Sequence, residues 1–157
     1  MASRRIEDCV PELQEKYKAF AAGMDAAGIP YMITCTARRV REQIALYAQG
    51  REKLDHVNAL RKLAGMAPIT WQENAEKVTW TLASKHLIDL DDNNPDNDHS
   101  RAFDIAIMRD GRPTWCLKVN INANDIPDYD EAGRIGEAVG LRWGGRFPSP
   151  DRPHFEV

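Results

Sequence analysis

Ten residues, Asp89 to Asp98 (DLDDNNPDND), limit the fold of this chain more than any others. They hold five aspartates and a single large apolar residue, Leu90, so neither a helical stripe nor a strand-like alternation can run through them. They read as a loop, and they divide the chain. Before them, apolar residues recur at helical spacing; after them, apolar and polar residues alternate. Helices first and antiparallel strands later predict an α+β domain, with N-terminal helices packed on a short, mainly antiparallel sheet. At 157 residues the chain suits one compact domain over 1–157, with 89–98 as an acidic insertion.

In the first half, Pro11 to Ala26 carries Leu13, Tyr17, Phe20, Ala21 and Met24 at helical spacing and stops at Gly28. Tyr31 to Thr36 is short and strand-like, and Val40 to Gly50 makes a second helix. Residues 52–80 read as mostly helical and polar, with Thr70-Trp71-Gln72-Glu73 as a capping box; packing, or a wall of a cleft, is their expected task. In the second half, Phe103 to Met108 alternates like a strand, turns at Asp110-Gly111, and predicts a partner strand around Trp115 to Val119. A helix is expected over Asp130 to Val139. Short strands follow at Leu141 to Trp143 and His154 to Val157, either side of a Gly/Pro-rich loop.

Composition excludes several classes. A net charge of -3 with no basic stripe excludes a nucleic-acid partner. The three cysteines, Cys9, Cys35 and Cys116, are far apart and form no CxxC, which argues against a disulfide framework or a thiolate metal site. The N-terminus has two arginines with no apolar stretch behind them, and no run approaches a membrane span, so synthesis in a cytoplasm is expected; a monomer is the expected state.

Asp104 is the residue most in need of explanation. It sits among Ala102, Phe103, Ile105 and Ala106, and burying a lone carboxylate costs several kcal/mol or forces its protonation. A metal ion would satisfy it. His86 and His154 could join it, giving the two imidazoles and one carboxylate of a catalytic zinc site whose fourth position is left to water. From composition alone, an ordinary hydrogen-bonded histidine is the commoner reading at each position.

The motifs narrow the choice. Ser84-Lys85-His86 followed by Ser100-Arg101-Ala102-Phe103-Asp104 resembles the SxHxxGxAxD signature of the zinc D-alanyl-D-alanine carboxypeptidase and L-alanyl-D-glutamate endopeptidase family, which includes vancomycin-resistance carboxypeptidases and phage endolysins. Arg38 to Arg51 resembles its RSxxEQ…ALYAQGR block. Trp143-Gly144-Gly145-Arg146-Phe147 with Asp151-x-x-His154-Phe155-Glu156 resembles its closing block. Two departures stand out. Ser100 replaces the signature glycine, and His86 lies 18 residues before Asp104, a longer span than the signature has, which the acidic insertion accounts for. His99 is the rival to His86.

The resemblance implies one zinc per chain on His86, Asp104 and His154, with Asp151 as the acid/base in preference to Glu156. It implies Arg38 as a cation for developing negative charge or for a substrate carboxylate. Gln43 and Ser84 fall where relatives touch substrate, and Trp143 is expected to pack under the site. The implied activity is hydrolysis of peptidoglycan stem peptide by metal-activated water, at the L-alanyl-D-glutamate bond as a phage-type endolysin. D-alanyl-D-alanine carboxypeptidase activity is the alternative, and a non-catalytic wall-binding module is a third. Such a lysin would wait in the host cytoplasm and reach the periplasmic wall once a holin opens the membrane. The acidic loop has oxygen ligands that calcium prefers but lacks EF-hand spacing, so a solvated loop is the simpler expectation.

Overall fold

The computed structural model describes residues 1–157. Helix α1 (Pro11–Ala27) starts with proline in its first turn, buries Leu13, Phe20 and Met24 on one face, and ends at Gly28. Strand β1 (Tyr31–Cys35) follows, then a two-residue strand β2 (Arg38–Arg39) that runs straight into α2 (Val40–Ala48), then α3 (Leu54–Leu63). Strand β3 (Leu87–Ile88) pairs in parallel with β2 as a small separate sheet.

The main sheet has the order β1-β4-β7-β6, built from β4 (Ala102–Arg109), β6 (Arg142–Trp143) and β7 (His154–Glu156). Strand β5 (Arg112–Thr114) also pairs with β4, and every pairing in this sheet is antiparallel. Helix α4 (Asp128–Ala138) and α1 cover the sheet. In β4, Ala102, Phe103, Ile105, Ala106 and Ile107 are all buried, the pattern of a central strand. The core gathers around aromatic rings. Phe103 and Phe155 stack with centroids 5.3 Å apart, and Phe20 meets Phe155 at 4.9 Å. Each fully buried Phe contributes about 1.5–3 kcal/mol relative to an exposed one. The α+β expectation holds.

Two expected elements differ. Residues 52–80 are only partly helical: α3 occupies ten of them, and the Thr70–Glu73 capping box closes a single 3-10 turn at Glu73–Ala75. The rest is irregular and held by side chains. The hairpin partner of β4 lies at 112–114 and not at 115–119. Asp110 and Gly111 both take positive φ, 52° and 73°, so the turn needs just two residues and the return strand begins at once. Pro113 sits in that strand because β5 is an edge.

The acidic loop caps itself. Asp89 Oδ1 accepts the Asp91 N–H, Asp92 accepts from Asn94 N and Asn97 Nδ2, and the Asp89 N–H reaches Asn97 O at 3.1 Å to close the neck. Beyond the neck, Ser100 is fully buried. Its N–H donates to Asp8 O, its C=O accepts from Val10 N, and its hydroxyl meets Cys9 Sγ at 3.2 Å. No helix is long and apolar enough to cross a membrane.

Candidate metal centre

Asp104 and His154 are direct cross-strand partners in the β4–β7 ladder, so backbone pairing alone sets their side chains next to each other. His86 comes from the turn that leads into the small second sheet. It precedes β3, its C=O accepts the Arg38 N–H at 2.8 Å, and its own N–H donates to Ser84 Oγ. The three side chains converge. His86 Nε2 lies 3.1 Å from Asp104 Oδ1 and 3.2 Å from His154 Nδ1, and His154 Nδ1 lies 2.9 Å from Asp104 Oδ1.

The far nitrogen of each ring fixes the tautomer. His86 Nδ1 is 2.7 Å from Thr36 O, which can only accept, so Nδ1 carries the proton. His154 Nε2 is 2.9 Å from the Glu156 carboxylate and donates to it. The nitrogens facing inward therefore present lone pairs, beside a carboxylate oxygen. Three acceptors in mutual contact need positive charge among them. Donors 2.0–2.1 Å from a tetrahedral zinc would stand about 3.3 Å apart, close to the triangle found here, so the set fits a cation of that size. Backbone-carbonyl and carboxylate partners behind metal-binding imidazoles are the usual supporting shell. Cys35 also lies near, within the group formed with His86 and Asp104. Its sulfur is 3.7 Å from His86 Nδ1, the nitrogen already donating to Thr36, so His154 and not Cys35 completes the convergent set.

The electrostatics point the same way. Burial disfavours a charged imidazole, yet the Asp104 carboxylate, helped by Cys35, outweighs it and pushes His86 up to about 10. His154, opposed by burial and supported by Asp104 and Glu156, is pushed up to about 9. Asp104 itself is held well below the usual carboxylate range: the two histidines overcome its desolvation. The site draws cations, and protons and a metal would compete for the same lone pairs.

Asp151 lies on the same cleft, at the turn before β7. Its N–H donates to Gly144 O at 2.8 Å and its C=O accepts from His154 N. The Gly144–Asp151 approach leaves no room for a side chain: a Cβ on Gly144 would overlap the Asp151 carbonyl oxygen and sit 3.0 Å from His154 Cβ. Water reaches the Asp151 carboxyl, but the surrounding wall desolvates it, and with the Asp104 charge this raises its pKa against the pull of His154, His86 and Arg38. A carboxyl shifted upward beside a set of donors that could hold a metal is suited to proton transfer.

Arg38 Nη2 is 3.5 Å from Asp104 Oδ2, and its Nη1 donates to Gln43 Oε1. Ser84 lines the cleft. Gln43 does not; it is 1 % exposed, and its amide ties Arg38 to Thr79 Oγ1 and the Thr81 carbonyl, bracing the irregular wall at 76–84. His99 is exposed and lies on a different depression, with Met1 and Glu42. Trp143 packs beneath, its Nε1–H on the Arg152 carbonyl. Sequence reasoning missed the Thr36 carbonyl, which has no residue signature, and the orienting role of Glu156, whose place two residues beyond His154 on β7 was its one visible clue. The cleft holds about 820 Å³.

Known proteins offer three comparisons. Residues 98–157 match the M15 peptidase family model described as D-alanyl-D-alanine carboxypeptidase. The chain is 25% identical over 152 residues to the peptidoglycan L-alanyl-D-glutamate endopeptidase CwlK of Bacillus subtilis (strain 168), covering 96% of this chain and 74% of that one. The fold resembles the crystal structure of the Serratia marcescens L-Ala D-Glu endopeptidase ChiX, with a TM-score of 0.53 and 14% identity over 100% of this chain and 88% of that chain.

Proposed function

We infer, from the match of residues 98–157 to the family model described as D-alanyl-D-alanine carboxypeptidase, that this chain is a zinc metallopeptidase cutting the L-alanyl-D-glutamate bond of peptidoglycan stem peptides. One observation carries the reading: two imidazole lone pairs and a carboxylate converge within 3.2 Å, each ring held from behind, in a cleft that also presents Asp151. The similarity to CwlK over 96% of the chain supports the endopeptidase bond.

His86, Asp104 and His154 would hold the ion. Bound zinc supplies a Lewis acid for the scissile carbonyl and makes water nucleophilic near neutral pH. Asp151 is placed to take a proton from the attacking water and would return it to the leaving amine, a task its raised pKa fits. Arg38 offers a fixed cation to the oxyanion or to a substrate carboxylate, and Gln43 holds it in place. Ser84 steadies the His86 backbone and faces the substrate. The resemblance to the endolysin branch supports a lytic role, in which the enzyme is released onto the wall from inside the cell. A need for acid/base chemistry separates this reading from a wall-binding module, which has no use for Asp151.

The family description keeps D-alanyl-D-alanine carboxypeptidase activity as the second reading. Mass spectrometry of muropeptides digested by the zinc-loaded protein decides between them. Separation of L-Ala from D-Glu is the expected result; loss of only the terminal D-Ala would replace it with the carboxypeptidase, and no cleavage would remove both.

A further inference from the structure

We propose that the cleft carries a sugar-binding subsite, built on Trp80 and Trp115, that takes the glycan-strand disaccharide to which the stem peptide is attached. The proposal rests on the endopeptidase reading above. Trp80 is 71 % exposed and Trp115 58 % exposed, yet both line the cleft that holds the triad. Exposed indoles that line a cleft offer flat apolar faces with a polar edge, the kind of surface a ligand covers.

Neither is loose. The irregular segment that bears Trp80 is pinned by Gln43 at Thr79 and Thr81 and by Arg51 Nη2 on the Thr79 carbonyl, and Arg51 and Lys77 sit 5.9 and 5.6 Å from the ring centre. Trp115 directly follows β5, which β4 holds in register at Ile107–Thr114. The same cleft is rich in hydroxyls. Thr81 and Ser84 each accept one backbone N–H and keep their own O–H for a ligand, and Thr34 and Ser149 line the same cleft. Flat apolar faces mixed with hydroxyl groups suit a pyranose, whose C–H faces pack on rings while its edges hydrogen-bond.

Reach supports that occupant. The first stem residue, L-alanine, is joined through a lactyl group to the muramic sugar, so at the L-alanyl-D-glutamate bond the sugar stands within about 10 Å of the scissile carbonyl. At the far D-alanyl end it would be at least four residues away, about 14 Å or more in extended chain. A sugar subsite beside the metal ligands therefore belongs with the endopeptidase bond.

The test uses the zinc-loaded full chain and two soluble substrates with the same stem peptide, one bearing the disaccharide and one free of sugar. The disaccharide form should be cut with about tenfold higher kcat/KM, carried mainly in KM. Trp80→Ala and Trp115→Ala should each remove most of that advantage and change cleavage of the free peptide less than about twofold. Trp80→Phe, which keeps a flat ring, should restore part of it. Equal kcat/KM on the two wild-type substrates, or variants that lose both activities in parallel, would overturn the subsite while leaving the endopeptidase intact. Failure to cut either substrate at L-Ala–D-Glu would instead sink the reading of the activity, and the subsite with it.

Discussion

Replacing Glu156 with glutamine removes one charge and almost no volume from behind His154. The carboxylate is 5 % exposed, and its Oε2 accepts the His154 Nε2–H at 2.9 Å while Oε1 accepts from Arg142 at 2.8 Å. That acceptor fixes the tautomer that turns Nδ1 toward Asp104 and makes the ring a better base. Losing such an outer partner typically weakens metal binding 10–100-fold, about 1.4–2.8 kcal/mol. The glutamine amide oxygen still accepts, so Glu156→Gln should fall near about tenfold and Glu156→Ala near about a hundredfold. Arg142 is 69 % exposed and simply returns to solvent, so its lost partner adds little. Competition with a chromophoric zinc chelator gives the affinity, and kcat at saturating zinc gives the control. Since Glu156 acts through His154, kcat should stay within about twofold once the site is filled. Unchanged zinc affinity in both variants would refute the orienting role. A collapse of kcat in fully loaded Glu156→Gln would mean that Glu156 handles the reaction itself.

Asp151→Asn should keep the fold and the zinc while activity drops about a hundredfold or more, and near-normal turnover would send the search for the acid/base elsewhere. His86→Ala should lose bound zinc, measured by elemental analysis, whereas His99→Ala should retain it; the reverse pattern would exchange their roles. Gly144→Ala must push the Asp151 turn aside, so urea denaturation should show about 1–3 kcal/mol of lost stability, and an unperturbed, fully active variant would contradict the close approach. Native protein should show one fast-reacting thiol, the exposed Cys116, because Cys9 and Cys35 are buried and burial pushes Cys9 up to about 11; two fast thiols would show that the core opens. Calcium and magnesium should affect activity equally, because the loop carboxylates already cap their own backbone; a calcium-specific change in rate would make the loop a regulatory site.

The strong periodicities were legible. The helix read over 11–26, the alternation around Asp104 and the Asp110-Gly111 turn can be read directly, as can the need of Asp104 for partners. Three things could not be read. The segment from 64 to 84 is shaped by long-range side-chain bonds such as Asn58 to Ile69 and Gln43 to Thr81, which leave no local period. The start of β5 was hidden by Pro113, since a proline in a strand signals an edge only once the sheet is known. The triad and the carbonyl behind it join residues 68 and 50 positions apart, so pairing His86 with His154 or with Thr36 depends on the fold itself.

The closed neck of the acidic loop bears on how chains of this kind diverge and can be rebuilt. His86 is anchored to β2 on one side of the excursion and Ser100 to the Asp8–Val10 backbone on the other, so the positions of the proposed metal donors do not depend on how many residues lie between. Doubling a flexible loop costs only about 0.6 kcal/mol. Spacing along the chain is thus a poor ruler for this motif, and a search that demands a fixed His-to-Asp interval will overlook members with longer detours. The same place is a natural splice point, where an affinity tag or a second binding module could be grafted without moving the chemistry.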